Sequence, residues 1–185
     1  MTTEKIAAAI ALHGEYLNGY MDGVQADFSG ADLENSDLSG EYLPDSILSG
    51  TNLKSAKLRG VILNASDLAE ADLSGSDLTG ASLRDCDLTS ASLRKAVLSG
   101  TDFTAAGLCG ADFSGVRLER CDFQDADLRA ADLSGAHLVE CNLNGVDFRA
   151  ADLSGVRFEK CDLRDTDFTD AVLDDADFTG SMMDD

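Results

Sequence analysis

The sequence contains no tryptophan, one proline (Pro44) and only two histidines, His13 and His137. Basic side chains are scarce too: 14 face 35 acidic ones, for a formal net charge of −21. Nucleic acid and anionic membrane surfaces both demand clustered Lys and Arg, so this balance excludes them as direct partners. A basic protein surface is the natural electrostatic complement. No apolar run approaches the length of a membrane span. Residues Ile6 to Leu12 have the length of a signal-peptide core at most, and Glu4 cancels Lys5 where a basic leader is needed. Five cysteines, an odd number with no C-x-x-C pair, suit a reducing compartment, and a cytoplasmic protein is expected.

The scarcity of histidine also bears on catalysis, which needs an acid, base or nucleophile held beside a partner. His13 falls in an N-terminal helix and His137 on an outward position, and neither has a partner at useful spacing. The recurring Ser-Gly steps are corner residues rather than nucleophile elbows, which need a strand-to-helix turn. No catalytic, cofactor-binding or metal-binding residue is expected, and the chain reads as non-enzymatic.

What the sequence has in quantity is regularity. From Phe28 to Phe178 every fifth residue is Leu or Phe, thirty-one in succession, and Met183 continues the phase. Two places before each stands a small residue such as Ala26, Ala31, Ser36, Thr51 or Cys121; Glu41 is the clear exception. Asp most often precedes the Leu or Phe, and Gly is common two places after it. Disordered acidic tracts lack such placement of large apolar residues.

A period of five fits neither a helix nor a straight strand, which would send successive Leu residues to opposite faces. The chain must therefore turn a corner once per repeat, returning each large side chain to one interior. The core then includes Phe28, Leu33, Leu73, Phe103, Phe113, Phe123, Leu133, Phe148, Phe158, Phe168 and Phe178. Gly and Ser at the boundaries supply the backbone freedom that corners need. Residues 111–130, 131–150 and 151–170 align with one another, so the register is twenty residues and four pentapeptides make one coil. Residues 26–185 form eight coils, a stack about 38 Å long at the spacing of neighbouring strands.

The A(D/N)LxG motif, beginning at Ala26-Asp27-Phe28-Ser29-Gly30, resembles the pentapeptide-repeat family. That resemblance implies an all-β fold, a right-handed quadrilateral parallel β-helix of about eight coils with Leu or Phe filling its centre. The segment from Leu12-His13 through Gly23 also resembles the start of many family members. Residues 1–25 are expected to form a capping α-helix and lead-in, and residues 26–185 the β-helix. The helix spans about 3–18, with Thr2 or Thr3 as N-cap and Ile6, Ala7, Ile10, Tyr16 and Leu17 on its apolar side. A solenoid exposes raw core at both ends. The far end carries Met182, Met183 and two aspartates, and a homodimer through it is expected.

Cys121, Cys141 and Cys161 form one interior column, read as small hydrophobes because a fourth ligand for a tetrahedral metal is lacking. Cys109 points outward. Among the outward residues, Asp72, Asp112, Asp132 and Asp152 share a column, each followed by Ser and Gly, with Ser92 interrupting. They are the candidate partner-binding face. The adjacent face, with Arg117, His137 and Arg157 beside Glu119, Glu140 and Glu159, reads as self-neutralising. Two functional readings stay open, with an enzyme-associated domain as a weak third. One is a rigid module binding an unidentified protein. The other is an acidic mimic of DNA, since the family resemblance extends to fluoroquinolone-resistance proteins that engage DNA gyrase in this way. The partner would then be gyrase, another topoisomerase or another DNA-binding protein.

Overall fold

The structure, a computed structural model describing residues 1–184, turns a corner in every pentapeptide. Every fifth residue from Gly30 to Gly180 has a φ between 52° and 80°. Glycine adopts this left-handed backbone without steric penalty, yet Glu70, Lys95, Arg120 and Ala150 adopt it as well, at about 1–2 kcal/mol each. Hydrogen bonds offset that cost. Ala31 N donates to Phe28 O (2.9 Å) and Ser36 N to Leu33 O (3.1 Å), closing β-turns whose third residue has positive φ. The corner amides bond to the next coil: Gly30 N to Ser49 O (2.8 Å), Asn35 N to Lys54 O (2.9 Å).

Pairing is parallel and offset by twenty residues throughout. Asp27 pairs with Ile47, Asp32 with Asn52, Asp37 with Lys57 and Tyr42 with Ile62, and the series runs on to Asp162 with Met182. Four pentapeptides therefore make one four-sided coil. On one side the rungs lengthen into short strands: β1 (Leu98–Ser99), β2 (Arg117–Glu119), β3 (His137–Val139) and β4 (Arg157–Glu159). They form a parallel sheet in that order.

The lower end is covered by α1 (Thr3–Leu17). Thr2 is the N-cap, its hydroxyl accepting from Lys5 N, and the Asn18 side chain donates to Gly14 O at 2.7 Å beyond the last turn. Ile6, Ala9 and Ile10 pack against the core and His13 is fully buried. Ala7 and Tyr16, expected on the apolar side, are exposed. The helix meets the coil along residues 6, 9/10 and 13, a 3–4 spacing that leaves 7 and 16 off the seam. The chain then doubles back, Val24 N donating to Leu12 O (3.1 Å). It passes so near the helix that a Cβ on Gly23 would lie 2.2 Å from Tyr16 N, so only glycine fits. Glu41, the exception among the small inward residues, lies in the first coil beside Ile6 and Ile10 of α1, half-buried rather than enclosed between coils.

Every repeat Leu or Phe from Phe28 to Leu163 is at most 2 % exposed. Phe28, Leu33, Leu73, Phe103, Phe113, Phe123, Leu133, Phe148 and Phe158 are among them, whereas Phe168 and Phe178 are half-buried in the last coil. Rings in successive coils stack, Phe103 on Phe123 at 4.8 Å and Phe148 on Phe168 at 5.4 Å, and meet neighbours edge-on, as Phe113 meets Phe123 at 6.0 Å. The small inward places serve a polar purpose as well. Thr51 Oγ1 donates to Phe28 O (2.7 Å), Ser66 Oγ to Leu43 O (3.1 Å) and Thr101 Oγ1 to Leu78 O (2.9 Å), each reaching a carbonyl of the coil below.

The buried thiols follow the same geometry more weakly. Cys86 Sγ donates to Leu63 O at 2.9 Å; Cys121 and Cys141 reach Leu98 O and Leu118 O at 3.6 Å, and Cys161 reaches Leu138 O at 3.5 Å. Burial pushes the Cys86 thiol up to about 12. The neighbouring Cys121 sulfur, followed by burial, pushes Cys141 up. Such thiols are not nucleophiles at neutral pH, and Cys121, held low by its hydrogen bond with Cys141, is sealed by burial. Cys109 is half-exposed. A thiol reagent at pH 8 should modify one cysteine of the folded protein, Cys109, and the remaining four only after denaturation; mass spectrometry of the labelled peptides checks this.

Candidate interaction faces

The aspartate that precedes each core residue has a backbone duty before it has any other. Asp27 Oδ1 accepts from Ser29 N (2.9 Å), Asp112 from Ser114 N (2.9 Å) and Asp132 from Ser134 N (2.8 Å). Asn fills the same place by the same bond, Asn52 from Lys54 N and Asn142 from Asn144 N, both at 3.2 Å. The residue two places on has its N–H turned outward, away from the ladder, and a short side chain with an oxygen acceptor satisfies it. A following Ser or Thr adds its hydroxyl, as Ser154 Oγ does to Asp152 at 2.6 Å. Such bonds favour the charged form: hydrogen bonds from Ser29 hold Asp27, and those from Ser154 hold Asp152, below the ordinary carboxylate value.

The register brings the candidate column together, Asp72 pairing with Ser92, Ser92 with Asp112, and then Asp132 and Asp152 in succession. Neutralisation divides it. Lys54 Nζ lies 2.9 Å from Asp72 and Arg94 Nη1 3.2 Å from Asp112. Partial burial raises the Asp72 carboxyl, but hydrogen bonds from Ser74 and Lys54 outweigh it and hold it low. Among the described residues, Asp132 and Asp152 have no basic side chain within 4.0 Å, and their charge faces solvent.

Reading one column missed how charge is shared among the four sides. The side holding β1 to β4 carries six acidic residues (Asp37, Asp77, Glu119, Glu140, Glu159, Asp177) and six basic ones (Lys57, Arg59, Arg117, Arg120, Arg157, Lys160), counted with its corners. Its formal charge is zero. Arg117 bonds Glu119 at 2.5 Å and donates to His137 Nδ1 at 2.7 Å, while His137 Nε2 lies 3.3 Å from Glu159, off the line of a hydrogen bond. Lys160 meets Glu140 at 3.7 Å. The segment 1–25 contributes −2 through Glu4, Glu15, Asp22 and Lys5. Of the remaining −19, Asp185 contributes one and the other three sides −18. The side running from Asp27 to Asp167 is one of these, with six aspartates in its column, of which Asp127 and Asp147 are matched by Arg129 and Arg149 at 2.6 Å. Sorting every charged residue by the twenty-residue register is the signal that finds these sides.

Residues 26–64, 66–104 and 86–125 match the family of pentapeptide repeats (8 copies), and residues 111–185 match the pentapeptide repeat region. The chain belongs to the pentapeptide-repeat family. Among solved structures, this pentapeptide-repeat protein is similar to a trypsin-treated variant of QnrB1, a plasmid-mediated fluoroquinolone resistance protein. The two are 29% identical over 87% of this chain and 79% of the other, with a TM-score of 0.74. A second trypsin-treated variant of QnrB1 is similar at 28% identity over the same shares, with a TM-score of 0.62. HetL, involved in heterocyst differentiation regulation in the cyanobacterium Nostoc sp. strain PCC 7120, is 28% identical over 85% of this chain and 76% of its own, with a TM-score of 0.47. No curated protein matches the chain. The fold is that of its family, a right-handed quadrilateral β-helix. Among the described residues, no helix is long and apolar enough to cross a membrane.

Because Asn already serves at positions 52 and 142, charge and backbone duty are separable. Replacing Asp132 with Asn should leave stability within a few tenths of a kcal/mol, whereas Asp132→Ala orphans the Ser134 amide and should cost about 1 kcal/mol. Urea unfolding of the two variants beside the parent reads the difference.

Proposed function

We propose that this pentapeptide-repeat protein is a rigid, non-enzymatic, cytoplasmic interaction module whose acidic sides take up a basic surface of a protein partner. One observation carries the reading: the net charge lies on three sides of the rod while the fourth neutralises itself. Continuous parallel pairing fixes the spacing of those charges, so a partner meets a preorganised array rather than a flexible tail. Asp132 and Asp152 are the contact residues proposed on the candidate column, with Asp72 and Asp112 beside them under partial neutralisation.

A narrower reading makes the partner a DNA-binding protein, DNA gyrase in particular, and the rod a mimic of duplex DNA. The likeness to a plasmid-mediated fluoroquinolone resistance protein favours it. Charge density does so too, since the coil charge over a stack of about 38 Å amounts to roughly one per 2 Å, beside about one per 1.7 Å for the duplex. Purified protein used as bait across a salt series, with captured proteins identified by mass spectrometry, tests both readings. Recovery of gyrase or another DNA-binding protein, lost as salt rises and weakened by Asp132→Asn with Asp152→Asn, is expected of a mimic. A salt-resistant partner indifferent to those changes would sink the electrostatic account.

Self-association is part of the proposal. Val172, Leu173, Met182 and Met183 are exposed together at the last coil, beside half-buried Phe168 and Phe178. A second copy docking there would cover them. Light scattering should give twice the chain mass of 19.5 kDa, and a monomer at all concentrations tested would refute this part.

A further inference from the structure

The function just proposed makes no use of His13, yet this is the most completely enclosed polar side chain of α1, at 0% exposure. Three segments meet on its ring. Ala26 N, where the lead-in enters the first coil, donates to Nδ1 at 3.0 Å. On the opposite edge Nε2 lies 2.8 Å from Pro44 O of the first coil, with Ser46 Oγ at 3.4 Å. Tyr16 stacks on the ring at 5.8 Å. A backbone amide can only donate and a backbone carbonyl can only accept, so one tautomer satisfies both contacts: proton on Nε2, lone pair on Nδ1.

A second ring proton has no place in this arrangement. It would sit on Nδ1 facing the Ala26 N–H, breaking that bond and leaving two donors opposed. It would also bury a positive charge without an acid to compensate it. The titratable groups on the surrounding elements are Glu4, Lys5, Glu15 and Tyr16 on α1, Tyr20 and Asp22 on the lead-in, and Asp27, Asp32, Glu34, Asp37, Glu41, Tyr42 and Asp45 on the first coil. Glu15, Asp22, Asp27 and Asp45 are exposed and Glu41 is half-buried. Among the described residues, no carboxylate lies within 4.0 Å of either His13 nitrogen. Once α1 lifts away, water solvates the imidazolium freely.

We propose that His13 is a pH-sensitive latch holding the helical cap on the β-helix. The latch is closed while the ring is neutral and released when Nδ1 takes a proton from solvent. Geometry sets the sign: a proton on Nδ1 opposes the Ala26 N–H only while the cap is docked, so acid favours undocking. Release uncovers the apolar end of the first coil, against which Ile6, Ala9 and Ile10 pack. The Gly23 crossing and the Val24–Leu12 bond sit on the same lead-in and would open with it.

Hydrogen exchange of the full chain tests the latch at pH 7.5 and 5.5, a window above the ordinary range of carboxylates. Rates are corrected for the intrinsic pH dependence of amide exchange, and His137→Asn removes the other imidazole. Amides of residues 6–17 should exchange faster at pH 5.5, by up to about tenfold, while those of the coils keep their protection. In His13→Gln the cap should be looser at pH 7.5 and indifferent to pH. Unchanged protection of α1 between the two pH values, or the same acid response in His13→Gln, would overturn the proposal. Should His13→Gln not fold, nitrogen-15 shifts of the His13 ring in the His137→Asn protein decide the matter. Protonation of Nδ1 coinciding with loss of α1 protection supports the latch, and loss of protection while Nδ1 stays bare refutes it.

Discussion

A pentapeptide that turns through left-handed backbone at its fifth residue presents its third residue to the same side as the pentapeptide before it. Everything else in this protein depends on that corner. The positive φ at every fifth residue from Gly30 to Gly180 brings Leu and Phe into one interior and sets four sides to a coil. Parallel pairing at an offset of twenty then stacks like on like. The corner is costly where Glu70 or Ala150 must adopt it, and the fold holds because such a corner amide bonds the next coil while the turn closes on the core carbonyl. Stability is thus spread along the stack, as in other solenoids, where each repeat contacts its neighbours.

The acidity of the chain has two origins that composition alone merges. Each Asp before a core residue accepts a backbone N–H that the corner turns outward, a need that Asn52 and Asn142 meet without charge. Asp in excess of that need is a choice of charge rather than of shape. Its distribution is uneven: Arg117, Arg157 and Lys160 answer Glu119, Asp177 and Glu140 on one side, while among the described residues Asp132 and Asp152 stand unanswered on another. A partner with a basic surface therefore meets different sides of the rod on different terms, and exposed ion pairs contribute too little to stability to explain the pattern by folding alone.

The period of five and the twenty-residue register were legible because a core filled by identical layers forces identical residues at identical spacing. The helix and its cap at Thr2 were legible for local reasons, capping chemistry and an apolar stripe. Which residues of α1 face the coil was not. Ala9 and His13 occupy the seam in place of Ala7 and Tyr16 because the lead-in folds back across Tyr16 at Gly23 and fixes the rotation of the helix. The acidic column was visible as spacing, but its division into neutralised and free carboxylates depends on Lys54 and Arg94 reaching the coil above, eighteen residues on.

By itself the sequence determined the repeat, the four-sided coil, the layered core and the sign of the charge, all of which follow from periodic composition and short-range sterics. Only the tertiary structure decided where that charge is left free, which thiols are sealed, and that His13 joins three segments through one tautomer. Those properties arise between residues far apart in the chain, where distance along the sequence says nothing about distance in space until the corners have closed each coil.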